Sequence, residues 1–432
     1  MTRPVASSQP IHNLRITRHE RRNLRPPFAL GQPPRRSPLD PERTGRILSH
    51  MRKPKRKEKG FVVWKSPFAA AIDAIAEDLL HYKLTLPQKK ELLEELKQYP
   101  HASMIIDNDG VGTVKQYTHF NPLSITYHPH FWSVPAGGKR TPKEHYENYP
   151  LLAEALEKWN EVLRKRTSRE QNEEKDAPTW ITWYLTEAGM TASSIRKAVK
   201  MFTGTQGVSA FSPAQAAAIH HHFGGGVIWD MSAGWGGRML GAMVCDRVTK
   251  YIGCDPATKT YKGLLEMRDE LLPMALAMRK ADLKIEPYEL ESETPEMRAK
   301  LPKGGVDLCW TSPPYFSTEK YSNEETQSWK RYPDPDSWLN GFLGGTLDNC
   351  EYCLKQGGTL AINIDDAKEY KKLTRKGKLK GRELTDDFKA LAESKGWRLI
   401  ETLQLELSAG PGAKQKHGKH KREPIFVFKK KS

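Results

Sequence analysis

The 432 residues contain no stretch of the roughly 18 consecutive apolar residues that a membrane-spanning helix needs. The first residues carry arginine and proline without an apolar core, so no secretory signal is expected. Cysteine is sparse: Cys245, Cys254, Cys309, Cys350 and Cys353 lie scattered, mostly in apolar stretches, as suits reduced thiols in an intracellular protein. Cys350 and Cys353 form one CxxC with no second pair, so no zinc site is expected. His220, His221 and His222 are consecutive on a predicted helix and point in different directions, a poor ligand set; no metal is expected.

Acidic residues are outnumbered, and the formal net charge is +17. Residues 1–60 hold 16 Lys/Arg against 4 Asp/Glu, which is +12 and leaves +5 for the rest. Rich in Arg, Pro and Lys and without period, 1–60 read as a basic disordered arm suited to a phosphate-rich partner. Residues 61–204 read as a mainly helical accessory or target-recognition region, with helices expected at Phe68–Tyr82, Pro87–Tyr99, Glu144–Arg166 and Thr191–Phe202. Strands and loops are expected between 101 and 140.

From 205 to 432 helix and strand alternate, which predicts an α/β, doubly wound, mostly parallel sheet. Ser212 is a plausible N-cap for a helix from Pro213 to Phe223, stopped by Gly224-Gly225-Gly226. Strands are expected at Val227–Trp229, Tyr251–Asp255, Leu283–Ile285, Val306–Trp310 and Thr359–Ile364, with Gly357-Gly358 as a turn before the last. Helices are expected at Thr258–Met278, Trp338–Leu354 and Asp386–Ser394, and a closing antiparallel pair at Trp397–Leu407 and Pro424–Lys429.

Thr311-Ser312-Pro313-Pro314-Tyr315-Phe316 stands where the strand from Val306 must stop. Proline fixes its own φ and holds the residue before it extended, so the Ser312 hydroxyl and the Pro313 carbonyl are pinned at a strand's carboxyl end. In open α/β sheets ligands bind there. Two fixed acceptors and the flat face of Tyr315 suit methylation of the exocyclic amine of a nucleobase. The acceptors take the two N–H groups and free the lone pair, and the ring stacks on a flipped base. Pro314 completes the corner. A Pro-Pro turn after a core strand is the plain alternative.

A second constellation is Asp230-Met231-Ser232-Ala233-Gly234-Trp235-Gly236-Gly237-Arg238, an acid at a strand end followed by a glycine loop that opens a helix. Asp255 ends the next strand, where a carboxylate can accept both hydroxyls of a ribose. Met239 stands where G-x-G-x-x-G needs its third glycine, so a pyrophosphate site is not met.

Together these motifs resemble the S-adenosylmethionine-dependent DNA amino-methyltransferases, over roughly residues 205–430. The resemblance implies a Rossmann-like methyltransferase sheet and S-adenosyl-L-methionine as cofactor. It implies that Asp230, Ser232, Ala233, Gly234 and Gly236 hold the cofactor's methionine part. It implies Asp255 at the ribose, Phe211 of Phe211-Ser212-Pro213 against the cofactor, and Glu289 of Pro287-Tyr288-Glu289 by the adenine. Ser312 to Tyr315 match the catalytic motif, with Ser where many members have Asp or Asn. In family terms Ser favours N4 of cytosine slightly over N6 of adenine, though some adenine enzymes also carry it. Carbon-5 methylation of cytosine needs a cysteine after a proline, and none of the five cysteines follows one. Glutamine methyltransferases use Asn before Pro-Pro-Tyr. The stretch Thr311 to Phe342 is similar to phage-type members, which implies a restriction-modification or phage setting in the cytoplasm of a prokaryotic or phage-infected cell. An RNA methyltransferase and a catalytically silent nucleic-acid-binding protein on the same fold are the alternative readings.

DNA is the implied partner, met by the arm 1–60 and by two basic stretches. Residues 368–382 hold eight Lys/Arg, and Lys414, Lys416, Lys419, Lys421 and Arg422 lie in 408–422. Solvated surface charge is the plain alternative for each. Tyr321, Gln327 and Trp329, just past the Pro-Pro corner, are placed to touch a base or plug a duplex; core packing serves equally well.

Overall fold

The computed structural model describes residues 84–108, 110–136, 140–148, 150–152, 155, 195, 196, 199, 207–367, 370, 382–407 and 421–430. The arm 1–60 and the expected helix at 68–82 lie outside the described residues, as do most of the expected helices at 144–166 and 191–202 and most of the basic stretches at 368–382 and 408–422.

Among the described residues one sheet of nine strands runs in the order β1-β2-β8-β9-β7-β6-β3-β4-β5. The strands are β1 Ile105–Asn108, β2 Val111–Val114, β3 Gly226–Asp230, β4 Val248–Cys254, β5 Lys284–Tyr288, β6 Val306–Thr311, β7 Leu354–Asn363, β8 Trp397–Glu406 and β9 Arg422–Lys430. From β3 to β7 every pairing is parallel, and β9 enters antiparallel between β7 and β8, as the alternation and the closing pair predict. The chain leaves β3 toward β4 and β5, then returns to the other side of β3 as β6. The order therefore reverses between β3 and β6, and that reversal opens a crevice at their carboxyl ends.

Alternating side chains build the core. Ile228, Tyr251 and Leu308 stand in register on one face, and Trp229, Ile252 and Cys309 on the other. Both faces are covered, which explains the near-continuous apolar runs of these strands. The main helices are α1 Leu86–Gln98, α2 Pro213–Phe223, α3 Gly237–Val244, α4 Thr258–Met278, α5 Gly344–Cys353 and α6 Leu384–Ser394. Ser212 caps α2, its hydroxyl accepting the Gln215 N–H at 3.4 Å, and Gly224 ends it at φ +122°. Leu93 and Leu96 of α1 are fully buried in the same cluster as Ile228 and Leu240. The hairpin β1–β2 joins the sheet through Thr113 and Val114, which pair with Gln404 and Leu405.

Two local expectations differ from the structure. Gly357 and Gly358 lie within β7, not before it: pairing jumps from Val306–Leu354 to Leu308–Thr359, so the extra residues form a bulge. A Cβ at Gly358 would stand 2.9 Å from Leu354 Cδ2 and the Lys355 carbonyl, so the bulge is too tight for a side chain. The helix expected from Trp338 opens with a π-helical turn, Trp338–Leu343, where a Cβ on Gly341 would meet the Tyr332 ring at 2.3 Å.

Candidate active site

β3 ends at Asp230, whose carboxylate is fully buried and saturated by its own chain. Oδ2 accepts from Arg238 Nε at 2.8 Å and from the Tyr251 hydroxyl at 2.5 Å. Oδ1 accepts from the Thr311 hydroxyl at 2.8 Å and the Ser232 N–H at 3.2 Å. Asp230 thus acts on any ligand only through the loop it anchors. Arg238, from the first turn of α3, also donates to the Ser232 carbonyl and reaches Thr311 Oγ1 at 3.4 Å. This ion pair stitches β3, the loop and the end of β6 together. The sequence signalled Asp230 but not its partners, because Tyr251 and Thr311 lie 21 and 81 residues away.

The loop itself closes on glycine. Gly234 and Gly236 take φ +53° and +76°, and a Cβ on Gly236 would meet Met267 Cε at 2.8 Å. Ala233 is buried and donates its N–H to the Cys254 carbonyl, tying the loop to β4. Phe211 packs edge-on against Trp310 at 5.3 Å, beneath the Arg238 guanidinium, and its carbonyl would collide with any Cβ on Gly237.

Asp255 follows β4. One oxygen accepts the Gly234 N–H at 3.1 Å and the other the Ala257 N–H at 3.0 Å. Burial pushes this carboxyl up to about 6 despite those two bonds. Its own N–H donates to the Tyr288 carbonyl, which sets Pro287-Tyr288-Glu289 beside it. Glu289 is exposed and accepts from the Thr258 hydroxyl.

The Ser-Pro-Pro-Tyr corner leaves β6 next door. Pro313 is buried and Ser312, Pro314 and Tyr315 are half-buried. Phe316, fully buried against Trp338 and Tyr370, sits at φ +54°, a conformation non-glycine residues avoid. The corner is thus held under local strain by its anchor. The Tyr315 hydroxyl donates to Glu423 Oε2 at 3.2 Å and also bonds Ser312; burial and Glu423 raise the phenol far above its usual range. Glu423 had no sequence signal, standing 108 residues away on β9. Ser232 of the glycine loop, Thr311 and Pro313 of the corner line the same small cavity, which the apolar side chains of Phe342, Leu347 and Ile362 help to close.

The chain beyond the corner lies across this region. Tyr321 packs against Trp235 at 5.8 Å and donates to Glu319, and Glu324 accepts the Thr258 N–H at 3.2 Å. Gln327 is buried. Tyr321 and Gln327 therefore serve packing. Arg382 pairs with Asp336 at 2.6 Å and Asp387 at 2.7 Å, a structural use of one basic residue of 368–382. Lys421 pairs with Glu423 at 3.2 Å. All five thiols are buried and free, with Cys309 and Cys353 sulfurs 3.6 Å apart. His220 is fully buried, and burial lowers its pKa to about 4.

No curated protein matches the chain. Solved structures resemble it remotely. Geranyl diphosphate C-methyltransferase from Streptomyces coelicolor is 13% identical over 50% of this chain and 78% of that one, with a TM-score of 0.32. An S-adenosylmethionine-dependent O-methyltransferase from Thermotoga maritima is 10% identical over 52% and 68%, at 0.31. The fibrillarin pre-rRNA processing protein of Methanococcus jannaschii is 14% identical over 48% and 67%, at 0.28. Residues 306–432, which begin with β6 and contain the Ser-Pro-Pro-Tyr corner, match the family model described as DNA methylase.

Proposed function

We propose that the protein is a DNA methyltransferase that moves a methyl group from S-adenosyl-L-methionine to the exocyclic amine of a flipped base. The observation that carries this reading is the junction of β3 and β6. The Thr311 hydroxyl bonds Asp230 at 2.8 Å, so the ends of β3 and β6 that carry the glycine loop and the Ser-Pro-Pro-Tyr corner stand side by side. The match of residues 306–432 to the DNA methylase model supports the substrate class.

The residues present fit the cofactor. Asp255 accepts one N–H on each oxygen, which leaves a lone pair on each for a ribose hydroxyl. At Gly234 a Cβ would meet only the Ser232 carbonyl at 3.7 Å, so the loop's outer side is open to close approach. Ser232, Ala233, Gly234 and Gly236 would hold the methionine part, Phe211 would buttress the loop, and Glu289 would stand at the adenine. When bound there, S-adenosylmethionine supplies an electrophilic methyl group.

The protein's own part is positioning. Ser312 Oγ and the Pro313 carbonyl accept the two amine N–H groups, which turns the nitrogen lone pair toward the methyl. Ser312 keeps its lone pairs free to accept because its hydroxyl donates a hydrogen bond to Tyr315, whose hydroxyl in turn donates to Glu423. The Tyr315 face stacks on the base, and the proton that the nitrogen sheds as it gains the methyl passes to solvent. Serine at the head of the corner favours N4 of cytosine only slightly over N6 of adenine. The likeness of Thr311 to Phe342 to phage-type members supports a prokaryotic or phage-infected cytoplasm as the setting, with a restriction-modification or phage role. Sequencing DNA from cells that express the protein, by a method that reads modified bases, tests this. N4-methylcytosine or N6-methyladenine at a fixed motif is expected; unmodified DNA beside methylated RNA would replace DNA with RNA as substrate.

A further inference from the structure

A concavity of about 460 Å³ opens directly beside the catalytic corner, lined by Phe316, Ser317, Lys320, Glu325, Trp329 and Lys330. Its floor is Trp329, on the short helix Ser328–Arg331. That helix is braced from both ends: Gln327 before it is buried, and Ser328 Oγ accepts the Trp338 indole N–H at 3.2 Å. Trp229, Trp310, Trp338 and Trp397 are under 2% exposed, whereas Trp329 is only half-buried and lies outside the three apolar clusters formed among the described residues. Its indole N–H is covered and finds no acceptor among the described residues.

Two ammonium groups attend this ring, Lys320 Nζ at 4.7 Å from its centroid and Lys330 Nζ at 5.7 Å. They are not equivalent. Lys330 is neutralised by Glu325 at 2.8 Å and held by the Asn323 carbonyl. Lys320 is exposed and has no such carboxylate among the described residues. The concavity therefore offers one aromatic platform and one uncompensated positive charge, the complement of one base and one phosphodiester.

We propose that this concavity is the subsite for a nucleotide next to the target base, on the same DNA strand. Its base lies on Trp329, displacing the Lys320 ammonium from the ring face, and the freed ammonium takes that nucleotide's phosphate. Phe316 and Ser317 connect the subsite to Tyr315 without a break, so the strand passes from one stacking ring to the next. A flipped base needs its neighbours held to keep the backbone distorted, and this subsite supplies that grip. The identity of the strand rests on the methyl-transfer reading above; the binding chemistry does not.

The test is photocross-linking of the full chain to random-sequence single-stranded DNA carrying 5-iodouracil, mapped by peptide mass spectrometry, with methyl transfer to duplex DNA measured alongside. The label is expected on Trp329. In W329F the affinity should stay within about threefold, and in W329A it should fall about tenfold. In K320A the slope of log affinity against log salt should shrink by about 0.7, one phosphate on a single strand. Label confined to other peptides, or W329A and K320A binding as the parent does, overturns the subsite. If the parent methylates DNA under that outcome, the methyl-transfer reading stands alone; if Trp329 is labelled and no methyl moves, the subsite stands and that reading falls.

Discussion

The sharpest perturbation of the β3–β6 junction is Arg238→Met. Arg238 is 4% exposed and Asp230 is fully buried, so neither charge is relieved by water. Removing the guanidinium leaves the carboxylate with three neutral donors: the Tyr251 hydroxyl, the Thr311 hydroxyl and the Ser232 N–H. Breaking a buried ion pair from one side costs about 3–5 kcal/mol, and three surviving hydrogen bonds place this case near the lower end, about 3 kcal/mol. Adding Asp230→Asn to the Arg238→Met variant removes the stranded charge and should recover at least about 1 kcal/mol, a coupling typical of directly bonded pairs. Urea unfolding followed by circular dichroism reads both. Cofactor affinity should fall with the single change, since Arg238 also holds the Ser232 carbonyl of the loop. A loss below about 1 kcal/mol, or effects of the two substitutions that simply add, would refute the idea that this pair fastens the two motifs.

Three further outcomes follow from the site. Asp255 must be ionised to accept ribose hydroxyls, and burial has already pushed it up to about 6, so S-adenosylmethionine affinity by calorimetry should weaken as pH falls through 6; a flat profile from pH 7.5 to 5 would remove Asp255 from the site. Tyr315→Phe keeps the ring but loses the Glu423 bond, and methyl transfer should drop about tenfold for a hydrogen bond of ~1.4 kcal/mol. Tyr315→Ala should abolish transfer with cofactor binding intact, whereas loss of both in a folded protein would make Tyr315 a cofactor residue. Glu293, 4% exposed at its side chain, is pushed up to about 7 by burial, above its ordinary 4.5, so its ionisation destabilises the fold as pH rises through 7. Glu293→Gln should stabilise by up to about 3 kcal/mol at pH 8, a gain that shrinks below 7 and vanishes near 4.5; equal gain at both ends would contradict this.

Strand and helix placement in the carboxy-terminal half was legible because buried parallel strands are short apolar runs punctuated by glycine and proline. Thr258–Met278 coincides with α4 to the residue, and Val306–Trp310 falls one residue short of β6. The bulge at Gly357-Gly358 was not legible, since a glycine pair signals a turn and a strand irregularity alike. Pro287-Tyr288-Glu289 stands beside Asp255 only through the pairing of β4 with β5, which nothing local in the sequence announces. The parts of the proposed site that a sequence can offer are local motifs: the glycine loop and the Ser-Pro-Pro-Tyr corner. What depends on distant partners was not legible. Asp230 reads as a ligand-facing acid, yet Arg238, Tyr251 and Thr311 consume its lone pairs, and only the fold brings them there. Glu423 likewise becomes a partner of Tyr315 only because β9 inserts beside β7.

The most direct test incubates the purified full chain with methyl-tritiated S-adenosylmethionine and duplex DNA, then digests the DNA to nucleosides. Label in N4-methylcytosine or N6-methyladenine, absent with Ser312→Ala, is the predicted result. Label at carbon 5 of cytosine, label in tRNA alone, or no transfer from protein that binds the cofactor would contradict it.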